Sequence, residues 1–221
     1  MAQSELKTVT LDLPASTEAL AELELGTVVY LNGRVFTARE GVYKRAVEEH
    51  HELPADLGTA NFHCSPAAAI EDDGTLNVGA VTATASFRFA KWLEGWFKLS
   101  GCNVIIGKGG MSSDIYRQSF VPNNAIYLTT VGYGTGALLG RGIERVVAAH
   151  WADELGLAQA IWVLDCKKFG PFLVESDLEG NSLFERENEK IAGTIDKLYE
   201  GTRPATLRRF GETDNKTDEV I

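Results

Sequence analysis

Residues 28–40 read VVYLNGRVFTARE, and this stretch decides the class of fold. Two runs rich in β-branched and aromatic residues flank Asn32-Gly33, a pair typical of a two-residue β-hairpin. The second run leads into Arg39 and then into a helical pattern over residues 42–51. Outward from this stretch, predicted strands and helices alternate, which indicates an α/β domain with antiparallel additions.

The rest of the chain divides into short elements with clear turn signals. Further strands are predicted at residues 60–65, 78–84, 103–106, 125–131, 146–149, 160–164 and 172–175, and further helices at 17–24, 87–99, 113–120, 137–142 and 187–200. No internal repeat or linker interrupts them. We therefore predict an extended segment over residues 1–14, one domain over 15–203, and an acidic tail over 204–221 that we expect to be disordered.

Composition excludes several classes of function. The 221 residues carry 31 acidic and 21 basic side chains, and this net charge of -10 disfavours binding to nucleic acid. Neither an apolar run of membrane-spanning length nor a signal peptide is predicted. Cys64, Cys102 and Cys166 form no CxxC pair, so we expect a cytoplasmic protein in which this chain itself binds no metal.

Arg39 is the first candidate site residue. It follows a predicted strand and precedes a helix, where a cation reaches ligands held at the carboxyl edge of a sheet. The alternative is a surface arginine that is ion-paired with Glu40 or Glu48.

Residues 82–88, TATASFR, form the second candidate. Thr84 and Ser86 precede a predicted helix and Arg88 lies in its first turn, so hydroxyls, backbone N–H groups and a guanidinium together form a possible carboxylate cradle. The alternative is an ordinary N-cap beside an exposed arginine.

The third candidate is the glycine-rich segment IIGKGGMS, residues 105–112. Gly107 permits close approach of a ligand and Lys108 supplies a charge, while the alternative is a tight turn with a lysine in solvent. The spacing is not that of a P-loop, and residues 131–136, VGYGTG, do not match the dinucleotide-binding pattern. Among the histidines, His63 is interpreted as structural, with a role in a site left open.

In this order, the segments resemble one family, which comprises the beta subunit of L(+)-tartrate dehydratase and the C-terminal domain of class I iron–sulfur fumarases. The resemblance covers residues 12–200, and its most specific parts are TAR at 37–39, GKGGM at 107–111, and the KKFGP and GNSL sequences at 167–171 and 180–183.

The resemblance implies a three-layer β/β/α swivelling domain that packs on an alpha subunit. That subunit binds a 4Fe-4S cluster through three cysteines and leaves one iron for the hydroxy-acid substrate, in an expected alpha2beta2 assembly. The beta part is expected to supply Arg39, Thr84, Arg88 and Lys108, and all four are present. Catalytic roles are expected for Thr84, Arg88 and Lys108, with Arg39, Ser86 and Gly107 joining them in substrate binding.

This chain departs from the family pattern at four positions. Glu40 replaces the usual Asp, Tyr43 the usual His, Ala85 the second Thr of a pair, and Ser65 the usual Gly, and the approach to Thr84 is longer. These changes narrow the expected pocket and leave the substrate open.

The predicted function is therefore reversible removal of water from a small 2-hydroxy dicarboxylic acid such as L-tartrate or malate. A class I fumarase, a hydratase of a bulkier hydroxy acid, and a stand-alone enzyme without a cluster are alternatives. A non-catalytic anion-binding or assembly module on the same fold is the alternative from another class.

Overall fold

A computed structural model describes residues 6–132 and 134–201, apart from the side chains of Asp196 and Tyr199. The chain divides into two compact units, residues 1–186 and 187–221. The strands are β1 (Thr8–Asp12), β2 (Val28–Thr37), β3 (Ala60–Phe62), β4 (Cys64–Ile70), β5 (Leu76–Ala83), β6 (Val104–Gly107), β7 (Ile126–Thr130), β8 (Ile143–His150) and β9 (Ile161–Ser176). The α-helices are α1 (Thr17–Ala21), α2 (Glu40–Tyr43), α3 (Leu93–Ser100), α4 (Ser113–Ile115), α5 (Gly136–Gly140), α6 (Ala152–Leu155) and α7 (Leu183–Tyr199).

Several helices are extended by other helical turns. A π-helical turn (Lys44–Glu48) continues α2, and a 3-10 helix (Ser86–Trp92) leads into α3. A second π-helical turn (Tyr116–Phe120) and a 3-10 turn (Val121–Asn123) continue α4. The predicted helices are thus confirmed in position. None of the helices that the structure describes is long and apolar enough to cross a membrane.

Seven strands form the main sheet in the order β1-β2-β3-β6-β7-β9-β8, and β4 and β5 form a separate hairpin. The long strand β9 pairs antiparallel with both β7 and β2, so five strands close into a ring. Phe62 on β3 meets Phe169 and Phe172 across this ring, with ring centroids 5.8 Å and 6.0 Å away. The mixed, sheet-dominated α/β class predicted from the sequence is confirmed.

Each face of the closed sheet has its own hydrophobic core. Val35 and Ile106 belong to the inner core, whereas their neighbours Phe36 and Ile105 belong to an outer core beneath the helices. This alternation follows from the two-residue period of a strand, and burial on both faces explains why the strands are continuously apolar. The rings of Tyr43, Trp96 and other aromatic residues fill the outer core.

The predicted hairpin at Asn32-Gly33 is wrong, because β2 runs through both residues without turning. The pairing of β2 with β9 shifts register between Leu31 and Gly33, and Gly33 has φ +108°. The dipeptide therefore forms an irregularity within a strand, where glycine permits a backbone that other residues avoid. Asn32 Oδ1 accepts a hydrogen bond from the Lys168 amide at 2.8 Å, which ties the irregularity to β9.

Four neighbouring parallel strands end at one edge of the main sheet. Thr37 is in register with Phe62, Phe62 with Ile106, and Gly107 with Thr129. The residues that follow β2, β3, β6 and β7 therefore emerge side by side. The β4–β5 hairpin also leaves from this edge. The edge and the hairpin together determine where the candidate site residues lie.

The terminal predictions fall partly outside the described residues. Part of the predicted extended segment forms β1, which pairs in parallel with β2. Residues 1–5 and the predicted tail over 204–221 lie outside the described residues. In the second unit, the described residues continue α7 as far as Tyr199, with an ion pair of 2.8 Å between Lys190 and Glu187.

Candidate active site at the carboxyl edge of the parallel strands

Backbone hydrogen bonds connect the segments that carry Thr84 and Lys108. The Thr84 amide donates to the His63 carbonyl at 2.6 Å, and the Lys108 amide donates to the Thr84 carbonyl at 3.2 Å. The His63 amide in turn donates to the Ile106 carbonyl at 2.8 Å. Thr84 therefore lies between the ends of β3 and β6, and its side chain is largely buried at 9% exposure.

Ser86 and Gly107 are in direct contact beneath this edge. A Cβ at position 107 would overlap the Ser86 hydroxyl and lie 2.6 Å from the Tyr127 hydroxyl. The position therefore requires glycine because a polar cluster occupies the adjacent space, which differs from the predicted reason of close ligand approach. Ser86 is completely buried.

Arg39 follows β2 at the same edge, and Ala38 between them donates its amide to the Phe62 carbonyl at 3.2 Å. The Arg39 Nη1 group donates to the Ala158 carbonyl at 3.3 Å, while its buried Nε has no hydrogen-bond partner in the described part of the protein. A guanidinium has five N–H donors, so Arg39 retains donors for an anion. The predicted alternative of a surface ion pair with Glu40 or Glu48 is absent from the salt bridges of the described residues.

Arg88 lies in the first turn of the 3-10 helix Ser86–Trp92, as its position after the hydroxyl cluster predicts. Its side chain is exposed, and its guanidinium carbon lies 5.7 Å from the centroid of the Phe89 ring. The neighbouring Phe87 is 61% exposed. An exposed cation beside an exposed aromatic ring is typical of a surface that meets another molecule.

A chain of buried polar side chains lies directly below the site. The Tyr43 hydroxyl is 2.7 Å from His63 Nε2 and donates to Asn61 Oδ1 at 2.8 Å. His63 Nδ1 is 2.7 Å from the Ser86 hydroxyl, which accepts a hydrogen bond from Tyr127 at 2.8 Å. Burial lowers the pKa of His63 to about 3, so the imidazole is neutral at physiological pH.

The segment that follows Lys108 is anchored by a second buried group. The Met111 amide donates to the Tyr116 hydroxyl at 2.9 Å, and that hydroxyl donates to the carboxyl group of Glu175. Ser182 donates to the other Glu175 oxygen at 2.6 Å. Burial is the main cause that raises the pKa of Glu175. Lys108 is thus held between two fixed points, Thr84 and Met111.

Lys108 also lines a small cleft together with Thr130, the end of β5 and the glycine-rich turn after β7. The remaining lining residues are Val81, Thr82, Ala83, Gly132, Thr135 and Gly136. The glycine-rich turn, which the sequence shows not to be a dinucleotide motif, is therefore part of the wall of this cleft. Its cavity volume of about 30 Å³ has room for one or two water molecules.

The structure thus brings Thr84, Ser86, Gly107 and Lys108 together, and places Arg39 at the same edge two strands away from Lys108. Arg88 is on the helix that begins at Ser86, at the surface. Sequence reasoning missed Tyr127 and Glu175, because both read locally as apolar-strand residues. For Tyr43, the departure from the family pattern was the available signal.

The three cysteines do not form a cluster site. Cys64 and Cys166 lie in the inner core and Cys102 in the outer core, on the other face of the sheet. Burial raises the pKa of each thiol, to about 12 for Cys102 and Cys166, which disfavours the thiolate that an iron–sulfur cluster needs. No group of three His, Cys, Asp or Glu side chains within residues 6–132 and 134–201 is arranged to hold a metal ion.

The fold and this edge define an α/β protein with a cationic, hydroxyl-rich site that is open to one side. The Fumarase C-terminus family profile matches residues 1–187, and the chain belongs to this family.

Three relatives extend the comparison. The chain is 33% identical over 181 residues to a putative L(+)-tartrate dehydratase subunit beta of Methanocaldococcus jannaschii, covering 80% of this chain and 91% of that protein. It is 30% identical over 193 residues to the L(+)-tartrate dehydratase subunit beta of Escherichia coli K12, covering 86% and 93%. It is 32% identical over 202 residues to a putative fumarate hydratase class I of Geobacillus stearothermophilus, covering 91% of this chain and 38% of that protein.

Proposed function

We propose that this chain is the beta subunit of a hydro-lyase that reversibly removes water from a small 2-hydroxy dicarboxylic acid such as L-tartrate or malate. One observation carries the proposal: Arg39 and Lys108 follow β2 and β6 at one edge of the sheet, and hydrogen-bonded backbone connects Lys108 to Thr84. The names of the relatives, which include beta subunits and a fumarate hydratase, support the same reaction class.

The proposed chemistry depends on positive charge. Removal of a proton beside a carboxylate creates an intermediate with extra negative charge, and cations placed where that charge develops lower the barrier. Arg39 and Arg88 bind the carboxylates, because a guanidinium binds a carboxylate through two parallel hydrogen bonds. Lys108 adds a compact charge at the end of β6.

Thr84 is the proposed group that handles the proton at the reacting carbon. A threonine hydroxyl is a weak base, so it requires nearby cations or an intervening water. Its backbone is fixed on both sides, by His63 and by Lys108. A fixed backbone limits the positions that its hydroxyl can take, which favours a defined approach to the substrate.

The proposal includes a partner alpha subunit that carries a 4Fe-4S cluster, in an alpha2beta2 assembly in the cytoplasm. The cleft beside Lys108 is too small to enclose a four-carbon acid, and Arg88 and Phe87, on the segment that follows Thr84, are exposed. A second chain on this surface would complete the enclosure. Since the cysteines of this chain are buried on two faces of a sheet, the cluster is assigned to the partner.

The three-layer β/β/α arrangement expected of the family belongs to this proposal. It is supported by the closed sheet, which supplies two β layers across the inner core, and by the helices that cover its outer face. A swivelling domain of this kind can move its cationic edge toward a partner.

The test is turnover by the complex of this chain co-expressed with its partner, assayed with L-tartrate, with malate and fumarate, and with methylated analogues. Lys108→Ala and Arg88→Ala are each expected to lower kcat about 100- to 1,000-fold, as for loss of a group that stabilises transition-state charge. Assembly, measured by size-exclusion chromatography, should persist.

Two surface variants serve as matched controls. Lys98→Ala and Arg117→Ala remove exposed cations that pair with Glu94 and Asp114, and both should leave turnover unchanged. Near-normal kcat in both site variants would contradict the assigned roles. Binding of dicarboxylates without turnover of any of these acids would favour the non-catalytic anion-binding module.

A further inference from the structure

We infer that His63 is a positioning residue, and that the buried chain Tyr127–Ser86–His63–Tyr43–Asn61 sets the relative positions of the segments that carry the proposed site residues. The inference deepens the proposed function, and its kinetic consequence rests on that function. Its structural consequence, that a change in one site segment loosens another, is measurable without turnover.

The hydrogen bonds of this chain run in one direction. Asn61 Oδ1 can only accept, so it takes the single hydroxyl proton of Tyr43 at 2.8 Å. The Tyr43 oxygen then accepts from His63 Nε2–H at 2.7 Å, which leaves Nδ1 to accept from the Ser86 hydroxyl, also at 2.7 Å. Ser86 in turn accepts from Tyr127 at 2.8 Å. Each hydroxyl and imidazole donor is used once, whereas Asn61 Nδ2 has no hydrogen-bond partner among the described residues. Bonds aligned in this way strengthen one another.

Tyr43, near one end of the buried chain of hydrogen bonds, and Tyr127, at its other end, connect it to two of the site segments. The Tyr43 amide donates to the Arg39 carbonyl at 3.0 Å, so the phenol is one helical turn from that cation. At the other end, the Tyr127 hydroxyl lies 3.5 Å from the Lys108 carbonyl and contacts Gly107. A shift at either end therefore alters the hydrogen bonds of the other.

In its middle, the buried chain of hydrogen bonds contacts the third site segment, residues 84–88. His63 accepts the Thr84 amide at its carbonyl, and its imidazole binds Ser86, which is two residues further along. Arg88 is another two residues on, in the same 3-10 helix. His63 therefore contacts the Thr84–Arg88 segment twice, once by backbone and once by side chain.

Complete burial gives these bonds their effect. Tyr43, His63, Ser86, Asn61 and Tyr127 are all 0% exposed. A buried polar group that loses its partner cannot be rescued by water, so each bond strongly favours one arrangement of the backbone. Because none of the five reaches the surface, the chain acts on substrate only through the residues that it positions.

The kinetic experiment uses single-atom deletions in the assembled enzyme. Tyr43→Phe and Ser86→Ala each remove one hydroxyl, and each is expected to lower kcat about 100-fold, since displacement of reacting groups by about 1 Å has this effect. KM should change less than kcat. The double variant should be no slower than the slower single variant, because both changes break the same chain.

Ser100→Ala is the matched control. It also removes a hydroxyl, here a partly buried one that donates to the Trp96 carbonyl at 2.8 Å and accepts from the Cys102 amide, but Ser100 lies outside the buried chain of hydrogen bonds. Its kcat should match that of the unmodified enzyme. If Tyr43→Phe and Ser86→Ala instead damaged the structure independently, the reduction of kcat in the double variant would be the product of the two single reductions.

Hydrogen–deuterium exchange measured by mass spectrometry supplies a readout that is independent of turnover. Tyr43→Phe should speed exchange in the peptide that contains residues 104–108, although three hydrogen bonds separate Tyr43 from Tyr127, which contacts that peptide. Should this variant fail to fold, Tyr127→Phe replaces it, with faster exchange expected around residues 40–43. Ser100→Ala should change neither peptide.

Folded variants with unchanged exchange at the distant segment and kcat within about two-fold of the unmodified enzyme would overturn the inference. If the unmodified complex turns over none of the assayed acids, the proposed function fails. The hydrogen–deuterium exchange measurement then still decides whether the buried chain of hydrogen bonds positions the three site segments.

Discussion

At the scale of single residues, Tyr43 shows how a buried side chain can combine apolar and polar roles. Its ring stacks on Trp96 and Phe89, with centroids 4.2 Å and 5.4 Å away, while its hydroxyl reaches Asn61 and His63. The family pattern places a histidine at this position, and the sequence suggested that the change narrows the substrate pocket. In the structure Tyr43 is enclosed in the outer core, so its effect on the site passes through His63.

His63 leads to a prediction about pH and stability. Its pKa is lowered from 6.5 to about 3 by burial, so below pH 6.5 the unfolded state binds a proton that the folded state does not. Stability from this residue is therefore present above pH 6.5 and is lost as the pH falls toward 3, at about 1.4 kcal/mol per pH unit. Glu175, whose pKa is raised, acts in the opposite direction above its ordinary value of 4.5.

The measurement is urea unfolding of the unmodified chain and His63→Asn between pH 4 and pH 8. The variant should be less stable by about 1–3 kcal/mol at neutral pH, because Ser86 and Tyr43 lose their partner, and this gap should narrow as the pH falls. Glu175 is common to both proteins and cancels. His51→Asn, which replaces an exposed histidine, is the control and should leave the free energy of unfolding at neutral pH within about 0.5 kcal/mol of the unmodified chain. A gap that stays constant with pH would contradict the buried neutral state.

At the scale of elements, β2 shows where local sequence patterns succeed and fail. The apolar runs on both sides of Asn32-Gly33 correctly predict extended backbone, but the dipeptide alone suggested a turn. Pairing with β9, whose partner residues are 127 to 145 positions away along the chain, keeps β2 continuous. Such a partner is invisible to a local pattern, and it outweighs the intrinsic preference of two residues.

Gly33 provides a test of this interpretation. Its φ of +108° disfavours any side chain, and a Cβ there would lie 2.7 Å from the Leu13 carbonyl oxygen. Gly33→Ala is expected to destabilise the protein by about 2–4 kcal/mol through strain and displacement of that backbone. Thermal and urea unfolding would measure the loss.

Gly79→Ala is the control for this change. Gly79 lies on β5 with an ordinary φ, and its added Cβ would approach the Ala67 carbonyl oxygen no closer than 3.7 Å. Its stability should stay within about 0.5 kcal/mol of the unmodified protein. Equal stability of the two variants would show that the Gly33 backbone is freely adjustable.

The candidate site was predictable to a similar extent as the elements. Position after a strand predicted that Arg39 lies at the carboxyl edge of a sheet, where the structure has it. Lys108 lies at the same edge because parallel strands end together. The buried chain was not predictable, because Tyr43, His63, Ser86 and Tyr127 are 20 to 41 residues apart in consecutive bonds. Only the closed sheet brings them into contact. The need for glycine at position 107 was likewise not predictable from the local sequence, because the side chains that exclude a Cβ there belong to Ser86 and Tyr127.

At the scale of the whole molecule, the proposed two-chain site uses one edge of this chain. Cations lie at one edge of a protein with a net charge of -10, so the local charge opposes the overall charge. The cleft beside Lys108 is small, and Phe87 and Arg88, on the segment that follows Thr84, are exposed. A surface that carries cations and an exposed aromatic ring is typical of protein interfaces, which supports the proposed partner subunit.

The two-chain proposal predicts different behaviour for the isolated chain and for the complex with its partner. The purified chain alone should be colourless and inactive on L-tartrate, malate and fumarate, because its cysteines are buried thiols on two faces of the sheet. Millimolar L-tartrate should leave the Tm of the isolated chain unchanged, since a single-sided site holds a small acid too weakly to shift unfolding. The complex should show turnover and a raised Tm with its substrate. Brown absorbance together with activity in the isolated chain would contradict the two-chain proposal, and a complex that contains Lys108→Ala separates the contribution of this edge from that of the partner.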